Sequence, residues 1–526
     1  MDIIENEKKK RTILYGLLVT VLVLIGVTYA YYRITKTQTN SNVIGTRTCL
    51  NTTLTEETSE IVLSDAFPIS DEDGLKQSPF TFTLTNNCDS YVKVTIALVS
   101  EYRTSTNTAY LKDNYVKSNL STKGTNDGSS VILSTLSLGE VDTNTQGYVL
   151  KTTGLKNKEA KSFDLRLWLD SETTNEQGLN KTWKGKIVVS VVAGEYVPTF
   201  AETILAKNEV KAPITTPGAA ISTASEALLA STEDDYGTSY YFRGAVKNNY
   251  VEFANKCWRI VRVGGDGSVK LILHNDNTTG AAHPCDAANN STSAAFARYS
   301  GETYKSAFNT NYNDNAYVGF KYGTVGAGDY ALTHANTNKS TILTNLETWY
   351  TNNLAAYESV IDDNVWCNDK TNVTDTAYNP WNMSNVNGLG YGTNRTYYGA
   401  TQRLVGTSGS AGGTGPSLKC NGELSKINSK VGLITADELA LAGYAAGTGN
   451  TTTYLQENAT DTYWWSLSPH YYSGVDAGVW GVDGSIGYFV NGRVSSTDGV
   501  RPSISLKSTT NITGEGTSST PYIISM

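Results

Sequence analysis

Apolar and polar residues alternate in short runs through much of this 526-residue chain. Successive side chains of a strand point to opposite faces, so a beat of two commits these runs to half-buried β-strands. Phe80, Phe82 and Leu84 keep the beat, as do Val92, Val94, Ile96 and Leu98. Phe163, Leu165, Leu167 and Leu169 follow, then Ile187, Val189 and Val191. Loops rich in Asn, Asp and Gly separate the runs, which predicts a β-sandwich over residues 47–195. Composition agrees: 33 Tyr, 47 Gly and only 17% charged residues suit strand-rich, loop-rich modules better than a helical bundle. The length calls for two or three domains.

One segment breaks the beat. Lys8, Lys9, Lys10 and Arg11 precede an uncharged run from Thr12 to Tyr32, long enough to cross a bilayer as a helix. The basic residues keep a tail of residues 1–11 cytoplasmic and place everything after Arg33 outside. The alternative is a cleaved signal peptide, with Thr28 and Ala30 as the small residues before a cut after Ala30. Both readings export the body: a single-pass cell-membrane protein with an extracellular C-terminal part, or a secreted one. Apart from this tail there is no basic run and the net charge is −8, so no nucleic-acid partner is expected.

The six cysteines fit an oxidising compartment. Cys49 and Cys88 lie in the first half of the body, and Cys257, Cys285, Cys367 and Cys420 in the second. The expected pairs are Cys49–Cys88, Cys257–Cys285 and Cys367–Cys420, although four cysteines admit three connectivities. No metal site and no cofactor are expected, since no C-x-x-C or H-x-x-x-H spacing occurs.

Pro198, Pro213 and Pro217 punctuate a small, polar stretch that reads as a linker over 196–235, with AISTASEALLAST as an optional short helix. A second domain, α+β, is predicted over 236–508, leaving a C-terminal tail at 509–526. CWRIVRV, the turn GGDG and SVKLIL make a hairpin. Leu343, Leu346, Tyr350 and Leu354 share one helical face behind Ser340 as N-cap. KVGLI reads as a strand, and Thr435 with Glu438 forms a capping box opening a helix to about Tyr444.

Catalytic residues are not evident. None of His274, His283, His334 and His470 sits in a nucleophile or metal motif, and GTSGSAGG is no nucleophile elbow. The chain is therefore expected not to be an enzyme. The C-terminal block is more informative. YWWSLSP precedes two alternating runs, Val475 to about Asp483 and Ile486 to Val494, joined by a turn at Asp483-Gly484. VRPSISL then makes a third strand, with Pro502 confining it to an edge or bulge. In this meander Val475, Ala477, Val479, Trp480 and Val482 are expected to face the core. The outward, ligand-binding set is His470, Tyr471, Tyr472, Asp476, Gly478, Gly481, Asp483, Ser485, Tyr488, Asn491, Arg493, Ser495, Ser496 and Asp498.

YWWSLSP, this block and DGVRPSISL resemble the end of C-type lectin-like domains related to the formylglycine-generating-enzyme fold. YYFRG, CWRIVRV and TADELALAGY extend the likeness over about 236–508. More narrowly, the block is similar to variable proteins of diversity-generating retroelements in gut Gram-positive bacteria. There, adenine-directed copying errors cannot yield Lys, Glu, Gln, Met or Trp. Between Ser466 and Val500 this chain has none of the first four, and its one Trp, Trp480, keeps the apolar beat. TLTNNCDSYVKVTI and FDLRLWLDSETTNEQGLNKTWKGKIVVSV resemble exported, membrane-proximal sandwich domains of Gram-positive surfaces, and the GVTYAYY end of the apolar segment resembles the leader of the camelysin and biofilm-fibre proteins of that group. No calcium–sugar motif is present, so the lectin-like resemblance implies a fold and not sugar binding. Together the likenesses imply a transmembrane helix, a β-sandwich stalk and a diversified C-type lectin-like domain that binds an extracellular protein or glycan. Tyr, Ser, Gly and Asn suit that role, giving large, low-entropy contacts and adaptable hydrogen bonds. The alternatives are a structural subunit of a surface fibre and an exported hydrolase.

Overall fold

The computed structural model describes residues 33–37, 51–57, 61–64, 66–126, 128–142, 145–194, 197–299 and 304–525. The basic tail, the apolar run of residues 12–32 and Cys49 lie outside these, and so do the transmembrane helix and the Cys49–Cys88 pairing. Among the described residues no helix is long and apolar enough to cross a membrane. The chain is mostly β-sheet, and it divides into two compact units, Met1–Val197 and Pro198–Met526.

In the first unit two six-stranded sheets share one core. One runs Arg33–Thr37, Thr182–Ala193, Val92–Ser100, Thr145–Leu155 and Leu138–Asp142, with Ile61–Ser64 beside Thr182–Ala193. The other runs Thr52–Glu56, Phe80–Asn86, Ala160–Asp170, Val116–Thr122 and Ser130–Ile132, with Pro68–Ile69 beside Ala160–Asp170. The alternating residues fill the space between them. Phe82, Leu84, Val92, Val94, Ile96, Leu98, Phe163, Leu165, Ile187, Val189 and Val191 are all buried in one cluster. Each such side chain contributes about 1.5–3 kcal/mol on leaving water. Strands Val116–Thr122 and Thr145–Leu155 were not marked by a clear beat. Buried Asp113 ties the second of these to the core, accepting from Tyr148 Oη at 2.8 Å and from Trp183 Nε1 at 2.7 Å.

The second unit carries two larger sheets and one continuous core. The eight-stranded sheet runs Ala227–Asp234, Gly237–Gly244, Lys256–Val263, Tyr250–Phe253, Tyr522–Ser525 and Asn511–Thr513. Val269–Asn275 pairs with Lys256–Val263, as the hairpin reading requires, and Ser503–Leu506 pairs with Val269–Asn275. The six-stranded sheet runs Lys305–Ser306, Asp498–Gly499, Tyr463–Tyr472, Ala477–Asp483 and Tyr488–Arg493, with Thr396–Tyr397 also on Tyr463–Tyr472. Helix Thr341–Asn353 buries Leu343, Leu346 and Tyr350 as spaced, and Ser340 Oγ caps it by accepting from Leu343 N. Disulfides Cys257–Cys285 and Cys367–Cys420 form as expected.

Several expectations are corrected. From Pro198 onward the proposed linker at 196–235 is part of the second unit. Helix Phe200–Lys207, opened by a Thr199–Glu202 capping box, buries Phe200 and Ile204, and Phe200 packs against Tyr522 with ring centroids 5.4 Å apart. The optional helix in AISTASEALLAST is instead strand Ala227–Asp234, because the neighbouring Gly237–Gly244 offers a full antiparallel partner. The proposed tail at 509–526 supplies two strands, and Tyr522–Ser525 lies parallel to Tyr250–Phe253. KVGLI is not a strand. The strand falls earlier, at Lys426–Ser429, and Leu433 and Ile434 run buried toward the next helix. That helix, Ala436–Ala442, opens with the predicted Thr435–Glu438 capping box and ends at Gly443, whose φ of +128° suits only glycine.

A buried ion cluster fixes this helix to the large sheet. Glu438 Oε1 accepts from Lys270 Nζ at 2.7 Å and Arg262 Nε at 2.9 Å, and Arg262 also pairs with Asp234 at 2.9 Å. Arg403 joins the same helix through Asp437 and reaches Asp369, both at 2.7 Å. The cavity beside this cluster holds about 40 Å³, room for water and not for a ligand.

Candidate functional site: an aromatic cleft on the small sheet

The meander sits in the small sheet, but its limits and its exposed face differ from the sequence reading. Strands Ala477–Asp483 and Tyr488–Arg493 pair with Asp483 opposite Tyr488, and residues 484–487 form the connecting turn. Ser503–Leu506 is not the third strand of this meander. It pairs in the large sheet, where Leu273 N donates to the Pro502 carbonyl and no ladder donor is required of the proline. Val475 and Ile486 fall in turns and are exposed, while Ala477, Val479, Trp480 and Val482 are buried.

The expected outward set splits. Ser485 and Arg493 are exposed, and Tyr471, Asp476, Asp483, Tyr488, Asn491, Ser495, Ser496 and Asp498 are half-buried. His470, Tyr472, Gly478 and Gly481 are buried, contrary to expectation. The reason is that strands Tyr463–Tyr472 and Ala477–Asp483 are covered on both faces. One face meets the core; over the other lie the segment around Trp381 and the loop at 446–449. Gly481 has no space to give: a Cβ there would lie 2.8 Å from the Trp464 carbonyl oxygen. At Gly478 a Cβ would meet the Tyr471 ring at 2.7 Å.

Some of the set is engaged within the protein. Arg493 pairs with Asp476 at 2.6 Å and lies 4.6 Å over the Tyr312 ring. Asp483 accepts from the Ser485 backbone at 3.0 Å and from its hydroxyl at 2.6 Å. Burial pushes the Asp498 carboxyl up to about 6, against the pull of Lys305.

His470, Tyr488 and Asn491 come together with residues that the alternating pattern did not mark. They line a cleft of about 430 Å³ with Trp381, Gly409, Ser410, Ala411, Ala446, Gly447, Thr448, Trp480, Phe489 and Val490. That volume lies in the ordinary range for small-ligand sites, roughly 300–1,000 Å³. The aromatic rings form a continuous wall. Trp381 stacks on His470 at 5.1 Å and 27°, His470 meets Trp480 at 4.2 Å, and Trp480 meets Phe489 at 4.8 Å. Trp381 is half-exposed, at 46%, so its indole borders solvent. Asn379 holds its loop in place, accepting from Met383 N at 2.7 Å and donating to the Met383 carbonyl at 2.8 Å. Gly409 packs beneath at φ +82°, where a Cβ would lie 2.9 Å from the Pro380 carbonyl.

His470 is 1% exposed, yet neither of its ring nitrogens has a hydrogen-bond partner among the described residues, and nor has Trp480 Nε1. Buried polar groups are nearly always paired; other unpaired ones among the described residues include Trp464 Nε1, His274 Nδ1 and His334 Nδ1, but His470 alone of the buried histidines leaves both ring nitrogens unpaired. Burial pushes the His470 imidazole down to about 3, so the ring is neutral at physiological pH. The other buried histidines are engaged: His334 Nε2 bonds to the Gly390 carbonyl at 2.7 Å, and His274 Nε2 lies 3.2 Å from Asn458 Nδ2. Among the described residues no group of three or more His, Cys, Asp or Glu could hold a metal.

The sequence did carry one sign of the missed residues. Trp381 stands in the polar loop NPWNMSN, far from any alternating run, and Trp is enriched among the residues that carry binding energy at interfaces. No protein-family model matches the chain, and neither does a curated protein or a solved structure.

Proposed function

We propose that this chain is an exported surface protein whose second unit is a C-type lectin-like ligand-binding domain. The leader anchors it in the membrane, or releases it if cut, and the two-sheet unit serves as a stalk. The observation that carries the reading is the aromatic cleft with its unpartnered His470 ring, built on the sheet the sequence marked for binding. A site in which aromatic rings border a few unpaired polar atoms is the usual form of a small-ligand or side-chain pocket.

The test uses the full-length protein in detergent against immobilised extracellular glycans and proteins. Binding to some member is expected, with at least a tenfold loss on replacing Trp381 and Tyr488 together by Ala and little change in melting. Binding that survives this double replacement would remove the cleft from the reading.

The same proposal includes diversification of the C-terminal block, now restricted by burial. Among sibling strains, substitutions should gather at Tyr471, Ser485, Tyr488, Asn491, Arg493, Ser495 and Ser496, and should spare Tyr472, Gly481 and Trp480. Introducing Gly481→Ser should destabilise the second unit by about 1–3 kcal/mol, since a side chain there meets backbone. Substitutions spread evenly over residues 236–508 would refute diversification.

A further inference from the structure

The cleft's chemistry restricts its ligand further than the ligand-binding reading on which this inference rests. Its lining contains no Asp, Glu, Lys or Arg. A charged ligand would leave water without a countercharge, which is unfavourable in a partly enclosed site. Trp480 Nε1 and both His470 ring nitrogens are sealed from the cleft, so the groups open to an occupant are the half-exposed indole of Trp381 and the hydroxyl and amide groups beside it. The occupant must therefore carry no charge, present a face to that indole, and offer both acceptors and donors.

An extended peptide is a poorer fit. It would have to pair with the strand Tyr488–Arg493, and the edge of that strand is already engaged beside the cleft. Gly447 N donates to the Phe489 carbonyl at 2.9 Å, and Gly449 forms a β-bridge to Tyr488. The remaining polar lining is hydroxyl and amide: Ser410, Thr448, Tyr488 and Asn491. These groups bond to hydroxyls without discharging any ion.

We propose that the cleft binds the uncharged sugar ring of a neutral glycan, stacked on Trp381 with its hydroxyls meeting Ser410, Thr448, Tyr488 and Asn491. Because the lining has no carboxylate, no calcium ion takes part. Sugar rings have an apolar face of C–H groups and a rim of hydroxyls, each a donor and an acceptor, which suits an indole set beside hydroxyl and amide groups.

The experiment titrates full-length protein, in a detergent without a sugar headgroup and with EDTA present, by calorimetry. The probes are neutral oligosaccharides ending in glucose, galactose, mannose or N-acetylglucosamine, with sialylated glycans and Trp-containing tetrapeptides alongside. At least one neutral glycan should bind in EDTA. Trp381→Ala should weaken it at least tenfold, and so should Asn491→Ala, which removes an amide of the lining. Both positions are partly exposed, so a folded variant is expected in each case. Binding that requires calcium, or that both variants retain, overturns the proposal. If only tetrapeptides or sialylated glycans bind, and Trp381→Ala abolishes that, the glycan inference falls while the ligand-binding reading stands. If no probe and no arrayed protein binds, both fall.

Discussion

Replacing Glu438 by Gln should destabilise the second unit by about 3–5 kcal/mol, the ordinary cost of removing one partner from a buried ion pair. The side chain is 2% exposed and receives Lys270 at 2.7 Å and Arg262 at 2.9 Å. Gln preserves its volume and its acceptor for Thr435 N, now at 2.9 Å, so the loss isolates the charge. Arg262 would keep Asp234, but Lys270 would be left facing the Trp366 ring, 4.7 Å away, with no carboxylate in contact. Acid should act through the same group. Burial alone would raise the Glu438 pKa, but Lys270 and Arg262 outweigh it and hold the carboxyl at about 2, below its ordinary 4.5. A carboxyl held low takes its proton later in the folded state than in the unfolded one. Its contribution is therefore complete above pH 4.5 and is lost as the pH falls from there toward 2. A shift of that size is worth about 3 kcal/mol. Denaturant unfolding of the full chain at pH 7 and pH 3 should show about 2 kcal/mol of this loss in the wild type, the rest falling below pH 3. In Glu438→Gln the contribution of this group to the acid loss should be gone. Equal acid sensitivity in both proteins would assign it to other carboxylates.

This cluster shows which parts of the structure the sequence could announce. Thr435 and Glu438, three residues apart before an apolar run, marked the helix start because a capping box is a local device. Lys270 and Arg262 came from the hairpin, also local. Their convergence on Glu438 depends on contacts separated by 168 and 176 residues, and no periodicity encodes it. The same limit explains the errors. Phe200 and Tyr522, from an assumed linker and an assumed tail, meet across the whole unit. The pattern in Ala477–Asp483 marked Ala477, Val479, Trp480 and Val482 as buried, but adjacent Val479 and Trp480 point to opposite faces, and Trp480 lines the cleft. The pattern could not tell that the opposite face was roofed by Trp381, 89 residues before His470. An alternating strand states that two faces differ; it does not state that either is wet. Val475 and Ile486 kept the beat beyond the strand ends, and turns at those ends turned them to solvent.

Trp480 and Trp381 should separate folding from binding. Trp480→Ala is expected to cost about 3–5 kcal/mol, the usual range for removing a buried indole. Trp480 is 2% exposed and joins the core cluster, with His470 on one side and Phe489 on the other. The cost should fall toward the lower end, because the void would open into the polar cleft. Water entering there could bond to the unpaired His470 nitrogens, whereas a sealed apolar void would stay empty. Trp381→Ala should cost far less, about 0.5–1.5 kcal/mol, the worth of one aromatic pair. Its ring is half-exposed and its loop is held by Asn379 independently of the indole. Ligand binding should be lost in both variants, since one removes the floor of the cleft and the other its open wall. Thermal melting and ligand titration of the two proteins side by side make the comparison. A Trp381→Ala protein as unstable as Trp480→Ala would make Trp381 a roof of the core, and the cleft a by-product of packing. A stable Trp381→Ala protein that no longer binds would establish that this indole is held at the surface for a partner.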